Sequence, residues 1–168
     1  MHSNVTPIQA IAVRLAEQRD VEAITKLIND AFRIAEGFFI DSDRIDEDAV
    51  SRFLASGDFL IAEREGTMLG CVYIEQEQTS PPPRSYLGLL SVSPSHQQAG
   101  LGSILMKEAE DLCRNRGSEF MDILVVNLRA ELPAFYERRG YVETGKSEFP
   151  PDVKTKVPCY FINMAKKL

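Results

Sequence analysis

After Asp20 the apolar positions Val21, Ile24, Leu27, Ile28, Ala31 and Phe32 recur at helical spacing, which predicts an amphipathic helix with Asp20 as its cap. The segment from Ile34 to Ile40 breaks that pattern and contains Gly37, Phe38 and Phe39. An acidic stretch from Asp41 to Asp48 follows, where Ser42 or Asp43 can cap a second helix with Ile45, Ala49, Phe53 and Leu54 on its apolar face. Phe59 to Ala62 predicts a strand, Glu65-Gly66 a turn, and Met68 to Glu77 the hairpin partner. Consecutive prolines make Thr79 to Arg84 a loop, and Ser85 to Val92 is the next strand, ended by Pro94. Gly100 to Arg116 carries the clearest helical pattern (Leu101, Ile104, Leu105, Glu108 or Ala109, Leu112), and Gly117 is its stop. The uninterrupted apolar run Phe120 to Val126 predicts a central strand buried on both faces. Glu131 to Arg139 is a short helix with Pro133 near its start. Tyr141 to Thr144 and Cys159 to Met164 are closing strands on either side of the Pro-rich loop Phe149 to Pro158.

The order is strand, two helices, three strands, helix, strand, helix, two strands. This is a mixed α/β (α+β) class with early antiparallel hairpins and a late strand-helix-strand unit. The chain has 168 residues, which suits one domain over residues 1–168, and 44% apolar with 26% charged residues excludes a disordered or fibrous chain. No run approaches the roughly 18 apolar residues of a membrane helix, and residues 1–14 carry no secretory pattern. Cys71, Cys113 and Cys159 form no framework of paired spacings, which fits a reducing, cytoplasmic setting; with only His2 and His96 besides, no metal site is expected. His96 reads as a loop residue. A net charge of −6 argues against nucleic-acid binding and requires that any phosphorylated ligand be held by local dipoles.

Such dipoles are expected where the strand ending at Val92 feeds the loop Ser93-Pro94-Ser95-His96-Gln97-Gln98-Ala99 and the helix opening at Gly100-Leu101-Gly102-Ser103. The first amides of a helix lack internal partners and carry partial positive charge, so they suit phosphate. Glycines at 100 and 102 let a ligand approach the backbone. A dinucleotide fingerprint needs glycine where Leu105 stands, and the Gly-Lys-Ser/Thr of a P-loop is absent.

Gln97-x-x-Gly100-x-Gly102, preceded by Val92-Ser93-Pro94 and followed by Asn127 and Tyr136-Glu137-Arg138-Arg139-Gly140-Tyr141, resembles the signature set of the GCN5-related N-acetyltransferase (GNAT) superfamily. The resemblance implies a mixed, mostly antiparallel, twisted sheet of roughly six to seven strands flanked by about four helices, with a splayed parallel strand pair that binds acetyl-CoA. It implies that backbone groups of Leu90 and Val92, with Ser91 between them, meet the pantetheine arm. Gln97, Gln98, Ala99, Gly100, Leu101, Gly102 and Ser103 would hold the pyrophosphate, with Asn127 also on the cofactor.

The implied reaction is direct acetyl transfer to a primary amine of a small molecule, with no metal and no acyl-cysteine on Cys113. Tyr136 stands where the family has its general acid, and a backbone amide near Leu90 would steady the carbonyl oxygen. Glu75 is the first choice of base, ahead of Glu36 and Asp122, and Glu36 and Phe39 would shape the acceptor pocket. The acidic balance points to a cationic acceptor. The alternatives are a non-catalytic acyl-CoA-binding module and a transferase acting on a protein lysine or N-terminal amine. A monomer or homodimer, with no membrane partner, is expected.

Overall fold

A computed structural model of the chain describes residues 10–77 and 81–168, without the side chains of residues 98 and 99; the expected loop Thr79 to Arg84 and the N-terminal reading lie partly outside the described residues. The elements are β1 (Ala12–Leu15), α1 (Val21–Glu36), α2 (Glu47–Ser56), β2 (Asp58–Arg64), β3 (Thr67–Glu77), β4 (Arg84–Val92), α3 (Leu101–Asn115), β5 (Phe120–Val126), α4 (Leu132–Glu137), β6 (Val142–Glu148) and β7 (Tyr160–Lys167). Seven strands form one sheet in the order β1-β2-β3-β4-β5-β7-β6. Neighbours are antiparallel except β4 and β5, which are joined through α3. A parallel pair needs such a crossover, because a tight turn cannot return the chain to its starting end. Among the described residues no helix is long and apolar enough to cross a membrane.

The alternation of β2 and β3 splits the core in two. Leu60, Ala62, Val72 and Ile74 face α3, where Leu101, Leu105, Met106, Ala109 and Cys113 are buried. Phe59, Ile61, Cys71 and Tyr73 face α1 and α2, meeting Ile24, Leu27, Ile28 and Val50. Burying each large aliphatic side chain of these layers contributes about 1.5–3 kcal/mol.

β5 departs from its expected two-sided burial. Met121, Ile123 and Val125 face the α3 layer, but Leu124 is 44% exposed. The core under α1 and α2 reaches no further across the sheet than β4, so only Val126 on the second face of β5 is covered, by Phe39 and Ile40 from the α1–α2 loop.

Two expected caps are also corrected. The Asp20 side chain makes no cap bond to α1; Arg14 on β1 takes both of its oxygens at 2.8 Å, and it also accepts the Glu17 amide. At α2 the cap is Asp46, which accepts from the Ala49 amide at 2.8 Å, rather than Ser42 or Asp43. α1 also runs through Ile34 to Glu36, leaving Ile34 exposed on a continuing helix.

Candidate active site

β4 and β5 pair only over Arg84–Phe120, Ser85–Met121 and Tyr86–Asp122. Beyond Tyr86 and Asp122 each strand continues without the other, so a wedge opens toward the N-terminus of α3.

One residue sets how β4 presents itself to that wedge. Before it, Leu87 faces the α3 layer and Tyr86 the α1 layer; after it, Leu89 faces the α1 layer while Leu90 and Val92 face α3. The parity switches because the β3–β4 register slips between Cys71 and Tyr73 and Leu89 adopts φ 53°. That left-handed value is unfavourable for a non-glycine residue. The Ser91 hydroxyl donates to the Leu89 carbonyl at 3.0 Å and braces the bulge, so its side chain is engaged within the strand. Ser93 donates its amide to Leu69 of β3 at 2.7 Å. Backbone groups alternate sides along a strand, so Ser91 and Ser93 face β3 while Leu90 and Val92 turn theirs into the wedge. The Val92 carbonyl accepts the Gln97 side-chain amide at 2.8 Å.

At the wide end the chain makes a short 3-10 helix, Pro94–Ala99, and then passes through Gly100 at φ 72°. The first bond of α3 is Ile104 N–H to the Gly100 carbonyl, which leaves the amides of Leu101, Gly102 and Ser103 without helical partners. Among the described side chains none caps them, and the first turn holds no acidic residue. A Cβ at Gly100 would meet nothing within 4 Å, and one at Gly102 only Phe135 and Leu90 at 3.9 and 4.0 Å. Arg139 stacks its guanidinium 3.6 Å from the Phe135 ring centroid and donates to the Ser103 hydroxyl. Donors without partners among the described residues, a cation beside them and no Cβ in front fit a diphosphate. The turned backbone of Leu90 and Val92 fits an extended amide chain leading from it. Gln97 joins this wall through its side chain; the side chains of Gln98 and Ala99 are outside the described ones.

Tyr136 on α4 packs between Phe135 and Tyr141, with ring centroids 5.1 and 5.8 Å away. Burial pushes its pKa up to about 12, against the pull of Arg129. The Tyr86 ring lies along β4 over Gly88, where any Cβ would overlap it. Burial raises the Tyr86 pKa too, opposed by Arg44. Glu36, in the last turn of α1, is 8% exposed. Burial raises its pKa, and the positive charges of Arg129 and Arg44 oppose the rise.

Other expected residues are placed differently. Glu75 lies one strand away from the wedge, cross-strand from Tyr86, and accepts the Tyr73 hydroxyl at 3.0 Å. It also borders a cavity of about 350 Å³ with Ser56, Gly57, Asp58 and Arg116. Asp122 is held by Arg84. Phe39 is fully buried against Val126 and Phe161, so it supports the pocket from behind, and the exposed aromatic is Phe38. Asn127 turns toward β7, where its Oδ1 accepts the Tyr160 amide at 2.9 Å and so extends the β5–β7 ladder. Sequence reasoning missed Tyr86 and Arg129, and reached Arg44 only as the end of the segment from Phe32 expected to shape the acceptor pocket; only Gly88, two residues beyond Tyr86 on the same strand, hinted at a ring lying flat there.

Comparison with known proteins bears on the family and the fold. An uncharacterized N-acetyltransferase of Chlorobaculum tepidum is 24% identical over 147 residues, 88% of this chain and 85% of that protein. N-acetyltransferase family 8 member 2 of Rattus norvegicus is 27% identical over 116 residues, 68% of this chain but only 46% of its own length. Salmonella typhimurium yncA, whose structure was determined with its cofactor acetyl-CoA, superposes with a TM-score of 0.72 at 23% identity, over 95% of this chain and 94% of that one; this likeness bears on the fold alone. The profile of the Acetyltransferase (GNAT) family matches residues 21–141, and the chain belongs to that family.

Proposed function

We propose that this protein transfers an acetyl group from acetyl-CoA directly to the primary amine of a small molecule. The observation that carries the reading is the register of β4: Leu90 and Val92 turn their backbone groups into the wedge, in line with the free amides of Leu101 to Ser103.

In this reading those three amides hold the pyrophosphate with Arg139 nearby, and the Leu90 and Val92 backbone orients the pantetheine amides as a further strand would. The bond that forms joins the amine nitrogen to the acetyl carbon, and the bond that breaks is carbon to sulfur. A β4 amide at the bulge faces the carbonyl oxygen as it gains charge. The amine must be neutral to attack, and its proton passes through water or the Tyr86 hydroxyl to Glu75, cross-strand from Tyr86. Tyr136 returns a proton to the departing sulfur. A hydroxyl whose pKa lies near 12 is fully protonated at neutral pH, as a donor must be.

The test is calorimetric titration of acetyl-CoA into the wild type and Gly102→Glu. Position 102 has room for a side chain, so the variant should fold, while its carboxylate lies against the free amides. Binding by the wild type that weakens at least roughly tenfold in the variant supports the cradle. Absence of binding by the wild type would remove the transferase reading. Tight binding with no thiol release across a panel of amines would leave a non-catalytic acyl-CoA-binding module.

A further inference from the structure

Glu36 has no explained partner. It is 8% exposed, and among the described residues no ion pair or hydrogen bond engages its carboxylate. A carboxylate largely withdrawn from water and left without a partner is costly, so a sequence that keeps one needs a reason for it.

Its surroundings are fixed by packing. The amides of Phe39 and Ile40 both return to the Glu36 carbonyl at 3.0 Å. Phe39 and Ile40 themselves pack on Val126 and Leu128. This presses the end of α1 against the segment after β5 that carries Arg129. On the other side, the Arg44 guanidinium lies 5.5 Å from the ring centroid of Phe32, one turn before Glu36 on α1. Phe32 and Tyr86 share the same core layer. The end of α1 that carries Glu36 therefore sits between the segment that carries Arg44 and the segment that carries Arg129. The electrostatic coupling agrees, since both arginines act on Glu36, Arg44 acts on Tyr86 and Arg129 acts on Tyr136.

Neither guanidinium is used up. Among the described residues Arg44 makes only its contact with Phe32, and Arg129 donates one bond, from Nε to Glu131 at 3.2 Å. The acceptor end of the wedge thus presents two guanidiniums, one of them shared with the exposed Glu131, beside the buried Glu36, on a chain whose net charge is −6. A polyamine or a lysine side chain would bring its positive charge against two arginines. A molecule carrying both signs meets a partner for each, because guanidinium forks match carboxylates and Glu36 matches an ammonium.

We propose that the acceptor is a zwitterionic small amine, a free amino acid, whose carboxylate is held by Arg44 and Arg129 while its ammonium faces Glu36. This rests on the transferase reading and narrows its substrate class, away from the cationic acceptor that overall charge suggests.

The experiment compares free α-amino acids (leucine, phenylalanine and glutamate) with the α-carboxamide of each. Thiol release is measured with the wild type, Arg44→Gln and Arg129→Gln, and binding is measured by thermal shift on the CoA-loaded protein. The expected result is kcat/KM for the better amino acids at least roughly tenfold above their carboxamides, with the gap closing in Arg44→Gln through KM. Arg44 is exposed, so that variant should fold; Arg129→Gln is the second arm. Amino acids should also raise the melting temperature of the CoA-loaded protein more than their carboxamides do. Equal use of both acceptor sets, or an unchanged ratio in both variants, overturns the inference and leaves the transferase standing. CoA binding without turnover and without an amino-acid shift overturns the inference as well, and leaves a non-catalytic acyl-CoA-binding module. Failure to bind acetyl-CoA overturns the transferase reading itself.

Discussion

Arg84 forks onto Asp122 across the only paired stretch of β4 and β5, Nε to Oδ2 at 2.7 Å and Nη2 to Oδ1 at 2.5 Å. The pair stands at the vertex of the wedge, where Tyr86 and Asp122 are the last residues in register. Both side chains are about one-quarter exposed, so the fork is partly screened. Asp122→Ala should lower stability by about 1–2 kcal/mol in urea titration. It should leave the pH profile of turnover in place, because the carboxylate serves Arg84. A shifted profile would assign Asp122 a proton-transfer role.

Tyr136→Phe should reduce kcat by at least roughly tenfold with acetyl-CoA affinity unchanged. Because burial holds the Tyr136 pKa near 12, the wild-type rate should show no fall attributable to this hydroxyl below about pH 11. A descending limb near pH 10 that vanishes in the phenylalanine variant would contradict that burial.

Glu75→Gln and Glu36→Gln should separate two roles. The first should lower kcat near neutral pH and recover as pH rises and the amine loses its proton in solution. The second should act on acceptor KM, with kcat less affected. Opposite behaviour would make Glu36 the base.

Gln97→Ala should bind acetyl-CoA as tightly as the wild type or up to about fivefold tighter, since the Gln97 amide occupies the Val92 carbonyl that the pantetheine arm is proposed to use. Calorimetry showing clear weakening would mean that the Gln97 side chain contacts the ligand.

Asp20 should govern acid stability. Arg14 and the Glu17 amide hold its carboxyl at about 2, below the usual 3.8. The unfolded chain therefore takes up this proton first, and the stabilisation is complete above pH 4 and lost as pH falls from about 4 to 2. Its full size is about 2 kcal/mol. Asp20→Asn should remove most of it at pH 7 and flatten the acid limb of chemical denaturation curves.

Element order and the strand-to-helix junction were legible because they depend on local alternation and on glycines at fixed positions. The bulge was not, since the residue taking positive φ is Leu89 and not its neighbour Gly88. An unbroken apolar stretch conceals a change of facing. The capping reading of Asp20 failed for a related reason: the residue suits a cap, but Arg14 on β1 reaches it first. Glu36, Arg44, Tyr86 and Arg129 lie on four separate segments, and only packing of the α1–α2 loop against the end of β5 gathers them. β5 was read as doubly buried because composition records how apolar a strand is and leaves open what covers it.

From Leu87 to Val92, β4 is a strand margin in the interior of a sheet, with the α3 layer on one face and the α1 layer on the other. At an outer margin such a row of N–H and C=O groups recruits other chains. Here the margin lies between neighbouring strands and under a helix layer on each face, so a partner that completes the ladder must enter as an extended chain. Whatever completes the ladder also becomes part of the folded state. A ligand at a hundred times its dissociation constant would add about 2.7 kcal/mol to the stability. The amides of Leu90 and Val92 would then pass from fast to slow hydrogen exchange, so two backbone protons would report occupancy of the wedge.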